Sequence, residues 1–189
     1  MMAKQQQQLS PENYIRQRSR SLPISDCYIN KGREDSGIAQ VMVIRKHSNG
    51  NSTFCLYIVD LYCLGIKETT FRFNQTEKEL EEVFESFKDT FDIEQVDYTL
   101  AHNIIYAALA YADELGFKPH KDFTQITSYF LEEDTEDIAL IEIECGKNGK
   151  PLYAPGPYDS AAKVRQIINQ LEKVTGKGGY DYIVSDNAF

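Results

Sequence analysis

Two apolar runs rich in β-branched and aromatic residues, IAQVMVIRKH (38–47) and STFCLYIVDLYCLG (52–65), are separated by Ser-Asn-Gly-Asn. Asn-Gly between two such runs is the strongest short hairpin signal, because both residues tolerate the left-handed backbone of a tight turn. The pairing requires antiparallel neighbours and leaves few other folds open. Gly65 breaks the second run, and KETTFRFN (67–74) reads as a third strand. SDCYIN (25–30) is a shorter strand ahead of the hairpin.

Helical signals follow. Thr76-Glu-Lys-Glu79 is a capping box that opens a helix with Leu80, Val83, Phe84 and Phe87 on one face. Asp97 or Thr99 starts TLAHNIIYAALAYADELG, which is apolar on nearly every side and therefore reads as buried between layers. Gly116 closes it, and KDFTQITSYFL (121–131) reads as a third, shorter helix. The remainder reads as a ββαβ tail. EDIALIEIEC (136–145) alternates Ile141, Ile143 and Cys145 inward with Glu142 and Glu144 outward. Asn148-Gly149 turns into KPLYAPG, Asp159 or Ser160 caps a helix carrying Val164, Ile167, Ile168, Leu171 and Val174, and GGYDYIVS is a last strand. The expected class is α+β: a mostly antiparallel sheet with helices packed on one face, ββα-rich, in a single compact domain. Residues 1–13, polar and Gln-rich, read as a disordered leader. Residues 14–189 form the domain, with order starting near Tyr14 or Leu22 and sub-lobes at 22–75, 76–131 and 132–189.

Charge is uneven. Lys and Arg outnumber Asp and Glu by eight to four in residues 1–50, whereas acids lead by twenty-five to twelve in residues 51–189, within a net charge of −9. An acidic body disfavours general affinity for nucleic acid. Only the basic arm IRQRSRS, with Arg16, Arg18 and Arg20, could touch phosphates or an acidic partner; otherwise it is a solvated terminus. No run reaches the roughly 18–20 apolar residues of a membrane span, and the N-terminus has no apolar signal region, so a cytoplasmic setting is expected without membrane contact. The four cysteines, 27, 55, 63 and 145, lie in apolar stretches without a C-x-x-C spacing and read as free buried thiols.

No phosphate-binding, dinucleotide, zinc-protease or hydrolase-elbow motif occurs. A looser constellation comprises Asp60, Cys63, His102, His120 and Asp122. Asp60 ends an apolar strand, where a carboxylate either holds a divalent metal or bonds the sheet rim. His102, one turn before Tyr106, is a ligand or a satisfied core residue. In FKPHKDF (117–123), Asp122 is placed to cap the helix opening at Phe123, while a His-x-Asp pair suits a metal or an oriented base. Cys63 as a nucleophile would require a nearby His and a depressed pKa. Glu142 and Glu144, and the acidic run EEDTED (132–137), read as solvated surface.

Three stretches together resemble a family of uncharacterised bacterial proteins: VDLYCLGIK (59–67), the helix ending LGFKPHKDF (115–123), and GPYD (156–159). The resemblance covers roughly residues 20–185 and implies no activity. Where family members carry a second Asp after the Gly-Pro-x-Asp turn, this chain has Ser160, which favours capping there. The expected function is an intracellular, non-catalytic binding or regulatory protein that meets a protein partner or its own copy, with no cofactor required. The alternative is a metal-dependent hydrolase or nuclease, using a divalent metal at Asp60, His102, His120 and Asp122.

Overall fold

A computed structural model of the chain describes residues 9–183. At its centre is a five-stranded antiparallel sheet of β1 (Ile24–Asn30), β2 (Ile38–Lys46), β3 (Ser52–Asp60), β4 (Gly65–Gln75) and β5 (Ile93–Val96), in the order β4-β3-β2-β1-β5. The hairpin at residues 47–51 forms in the expected register, from Ile38 opposite Asp60 to Lys46 opposite Ser52. Its turn differs from the expected one. The Gly50 amide donates to the His47 carbonyl, and of the two turn residues Gly50 alone has a positive φ, 89°. Ser48, Asn49 and Gly50 thus form a three-residue loop, a turn followed by a left-handed glycine. The missed strand, β5, is four residues long and half polar; it is held by pairing with β1, from Cys27 opposite Val96 to Asn30 opposite Ile93.

β2 is buried on both faces because helices cover both. Val41, Val43, Cys55, Tyr57 and Val59 meet Ala101, Ile104, Ile105 and Ala108 of α4 (Tyr98–Glu114). Met42, Ile44 and Phe54 point the other way, onto Leu80, Val83, Phe84 and Phe87 of α3 (Glu77–Thr90). One-sided helix packing therefore holds for α4 but not for α3. The run VMVI has no polar face to leave in water, so each side needs a cover. The capping box at α3 forms as read, with Thr76 Oγ1 accepting from the Glu79 amide and the Glu79 carboxylate accepting from the Thr76 amide. Gly65, at φ 68°, lets β4 approach α4: a Cβ there would lie 2.7 Å from Ala112 Cβ and 3.1 Å from the Ala108 carbonyl oxygen.

Order begins earlier than the leader reading placed it. Ser10 caps α1 (Pro11–Arg18), with Pro11 in the first turn, and Ile15 is fully buried in the main core. The buried Ile15 offsets the ordering cost that a polar leader could not meet; residues 1–8 lie outside the described residues. A short helix, α2 (Arg33–Ser36), links β1 to β2.

The tail departs furthest from expectation. Residues 139–145 run without a turn or bend, and Ile143 and Cys145 pack on the core, yet among the described residues no strand pairs with them. The ladder is missing because the Asn103 carboxamide takes the neighbouring position: its Nδ2 donates to the Ala139 carbonyl and its Oδ1 accepts from the Ile141 amide, both at 3.0 Å. The second turn forms as read, with Asn148 at φ 53° and Gly149 at φ 75° between the bridged pair Lys147 and Lys150. Beyond it, β6 (Leu152–Tyr153) and β7 (Asp181–Tyr182) pair in parallel around α6 (Ala161–Thr175). Parallel neighbours need such a crossover. Ser160, not Asp159, caps α6. The end of the expected last strand, from residue 184, lies outside the described residues.

Candidate functional site

The five residues of the sequence constellation fall into three local networks: Asp60 with Cys63, His102 alone, and His120 with Asp122. Asp60 ends β3 in a buried position, and its Oδ1 accepts from the amides of Tyr62 (2.9 Å) and Cys63 (3.0 Å). Lys67 Nζ stands 3.8 Å from Oδ2. Burial pushes this carboxyl up from its usual range; Lys67 and the amides of residues 62–64 pull it down without prevailing. Asp60 therefore shapes the loop between β3 and β4. The fully buried Cys63 thiol is also pushed up, by burial first and by Asp60 second, which disfavours the thiolate a nucleophile needs.

His102 is a core histidine. Its ring stacks on Tyr106 at 4.4 Å between centroids, meets Tyr98 edge-on at 5.6 Å, and places Nε2 3.4 Å from the Glu132 carbonyl. Burial lowers its pKa, favouring the neutral ring.

His120 answers to a role the sequence reading had given its neighbour. α5 (Lys121–Gln125) is capped by His120, whose Nδ1 accepts from the Asp122 amide at 3.3 Å. Asp122 lies inside the first turn, where a carboxylate suits the partial positive charge of a helix start, and its Oδ2 is 4.0 Å from the His120 ring. The backbone amide of His120 donates to the Ile66 carbonyl and ties the turn to β4. Residues expected to form one helix, 121–131, instead form α5 and a 3₁₀ turn at Thr127–Phe130, because the chain bends at Ile126. Among the described residues no group of three or more His, Cys, Asp or Glu side chains is placed to hold a metal ion.

The arginine arm is folded against the body rather than free. Arg16 Nε donates to the Gln125 carbonyl and Arg20 Nε to the Leu131 carbonyl, each at 2.6 Å, and Arg20 pairs with Glu133 at 2.7 Å. Arg18 alone has no such bond among the described residues. Arg45 was not singled out. It is 1 % exposed, donates to the carbonyls of Leu22 (2.6 Å) and Phe130 (3.0 Å), and pairs with Glu132 at 2.6 Å. Its position in an apolar strand was the available signal, since a buried guanidinium must be fully bonded.

Two surfaces are candidates for binding. A cleft of about 410 Å³ opens between the start of β4, the turn at 116–120 and α6. Lys67, Lys118, His120 and Lys163 line it together with Ile66, Phe117 and Ile167. The second surface is the segment 139–145, of which residues 141–144 form one wall of a cavity of about 420 Å³ floored by Leu61, Leu100 and Ile104, with Arg33 and Lys147 also in its lining. Leu140 on this segment is 91 % exposed. No helix among the described residues is long and apolar enough to cross a membrane. Comparison with protein-family models, curated proteins and solved structures found no match.

Proposed function

We propose that this chain is a non-catalytic binding or regulatory protein of the cytoplasm, and that it takes up an extended, basic protein segment along residues 139–144. The observation that carries the reading is a strand-like segment with one edge open. Asn103 bonds the edge bearing the Ala139 carbonyl and the Ile141 amide. In extended chain, backbone groups alternate edges, so Leu140, Glu142 and Glu144 present theirs on the opposite side. Among the described residues none of these groups has a hydrogen-bond partner. Such an edge is a template for strand addition.

Charge selects the occupant. The chain from residue 132 to 144 carries seven acidic side chains and no basic one. Pairing of two copies would set Glu142 and Glu144 against like charges across the ladder, which opposes self-association; a lysine- or arginine-bearing strand meets opposite charges instead. The non-catalytic part of the reading is supported by Asp60, His102 and His120, each engaged in a bond of its own.

The test is fluorescence anisotropy with a labelled octapeptide of alternating Lys and Val. Binding should weaken with salt, disappear when alternate peptide nitrogens are methylated, and fall at least tenfold in the Glu142→Lys/Glu144→Lys variant. Equal binding of the methylated peptide, or no binding at all, would sink the reading.

A further inference from the structure

The cleft beside the His120 turn collects positive charge where the body of the chain is negative. Three lysines and one histidine line it, from β4, the 116–120 turn and α6, and no Asp or Glu does. Each ammonium is steadied by a carboxylate outside the lining. Lys118 pairs with Asp113 at 2.6 Å and Lys163 with Asp159 at 2.7 Å. Lys67 stands 3.8 Å from Asp60, beyond hydrogen-bond reach, so its donors remain open to a ligand. His120 contributes as well. With Nδ1 accepting from the Asp122 amide, the neutral ring carries its proton on Nε2, and no acceptor among the described residues meets that donor.

The walls supply the other half of the recognition. Ile66, Phe117 and Ile167 give an apolar lining, and the volume lies within the range of small-molecule sites, roughly 300–1,000 Å³. The cleft is also braced. Gln170 Nε2 donates to the Leu115 carbonyl at 2.9 Å, and a side chain at Gly116, whose φ is 80°, would collide with Gln170. This bond joins α6 to the end of α4 at the floor of the site.

We infer that this cleft binds a small amphipathic organic anion, its carboxylate or phosphate held by Lys67, Lys163 and His120 and its apolar body against Phe117, Ile66 and Ile167. The inference is independent of strand addition at residues 139–144, which involves none of these side chains. Charge-assisted hydrogen bonds to the anion would be shielded by the apolar walls, where they are worth more than in water.

The experiment is a titration followed by amide chemical shifts at Lys67, Gly116 and His120, with 3-phenylpropionate, phenyl phosphate, inorganic phosphate and the neutral 3-phenylpropan-1-ol as probes. One or both organic anions should saturate, and which of them does so distinguishes a carboxylate from a phosphate ligand. The alcohol and inorganic phosphate should bind at least tenfold more weakly. Lys67→Met should weaken the anion at least fivefold, and Lys118→Gln, at an exposed position whose loss leaves the fold intact, by two- to threefold. Equal binding of the alcohol or of inorganic phosphate, unchanged affinity in both variants, or no saturation by either organic anion would overturn the inference.

Discussion

Replacing Asp60 separates a structural carboxylate from a metal-binding one. Its Oδ1 serves two buried backbone amides, those of Tyr62 and Cys63. Asp60→Ala removes the oxygen that both amides share. An unmet buried donor costs about 1–3 kcal/mol, so the two together cost about 2–6 kcal/mol. Relief of the desolvated charge returns part of this. The distant, partly exposed Lys67 contributes little. Asp60→Asn keeps an oxygen for both amides and should stay within about 1 kcal/mol of the parent, since only the charge is lost. Urea unfolding at neutral pH, followed by circular dichroism, measures both. If Ala costs under about 1 kcal/mol, or Asn costs as much as Ala, the two amide bonds are not what Asp60 supplies.

The same pair of variants tests the balance of forces on the carboxyl. Burial is the largest influence and raises its pKa, against Lys67 and the loop amides. The folded protein therefore holds this proton more tightly than the unfolded chain, where an Asp titrates near about 3.9. Fewer protons are bound by the unfolded state in that window, so stability from this group is full below the unfolded value and declines as pH rises through the folded one. The parent should lose stability relative to Asp60→Asn as pH climbs from about 4 towards neutrality. A relative gain over that window would mean that Lys67 and the amides outweigh burial.

His120→Ala should cost about 1 kcal/mol, the usual loss of a helix cap, and His120→Asn should restore it, because a carboxamide oxygen can accept from the Asp122 amide; thermal melts of the two variants decide this. Arg45→Met should destabilise by about 2–6 kcal/mol, about 1–3 for each of the Leu22 and Phe130 carbonyls that lose their donor. A loss under about 1 kcal/mol on urea unfolding would show that water or a neighbour takes over those acceptors.

The sheet was readable because its determinants are local. The hairpin runs 38–47 and 52–65 alternate towards two apolar partners, and Asn-Gly marks where they reverse. The capping box at Thr76 and the buried helix at 98–114 were legible for the same reason. Two covered faces were not inferred, although the uninterrupted apolar run of β2 required them. β5 was invisible because its four residues owe their conformation to β1 rather than to their own pattern.

The candidate site shows the opposite relation between pattern and place. His120 reads in sequence as half of a metal-binding or base pair, whereas in the structure its Nδ1 caps a helix by accepting from the Asp122 amide. Asp122 was given the cap because carboxylates are common there, but the turn set by Pro119 and the bond from His120 to Ile66 place the imidazole one turn position earlier. Lys67, Lys118 and Lys163 carry no mark in sequence, since a lysine on an amphipathic surface is ordinary and their convergence depends on how α6 packs beside β4. The segment 136–145 makes the point in reverse. Its alternation is that of a paired strand, and two of the three residues read as inward, Ile143 and Cys145, do pack while Ile141 is exposed; Asn103 on a distant helix occupies one edge and leaves the other open. A periodic pattern specifies which side chains face the core; whether the backbone finds a partner is decided by what stands alongside it, and here the open edge is itself the feature a partner strand would read.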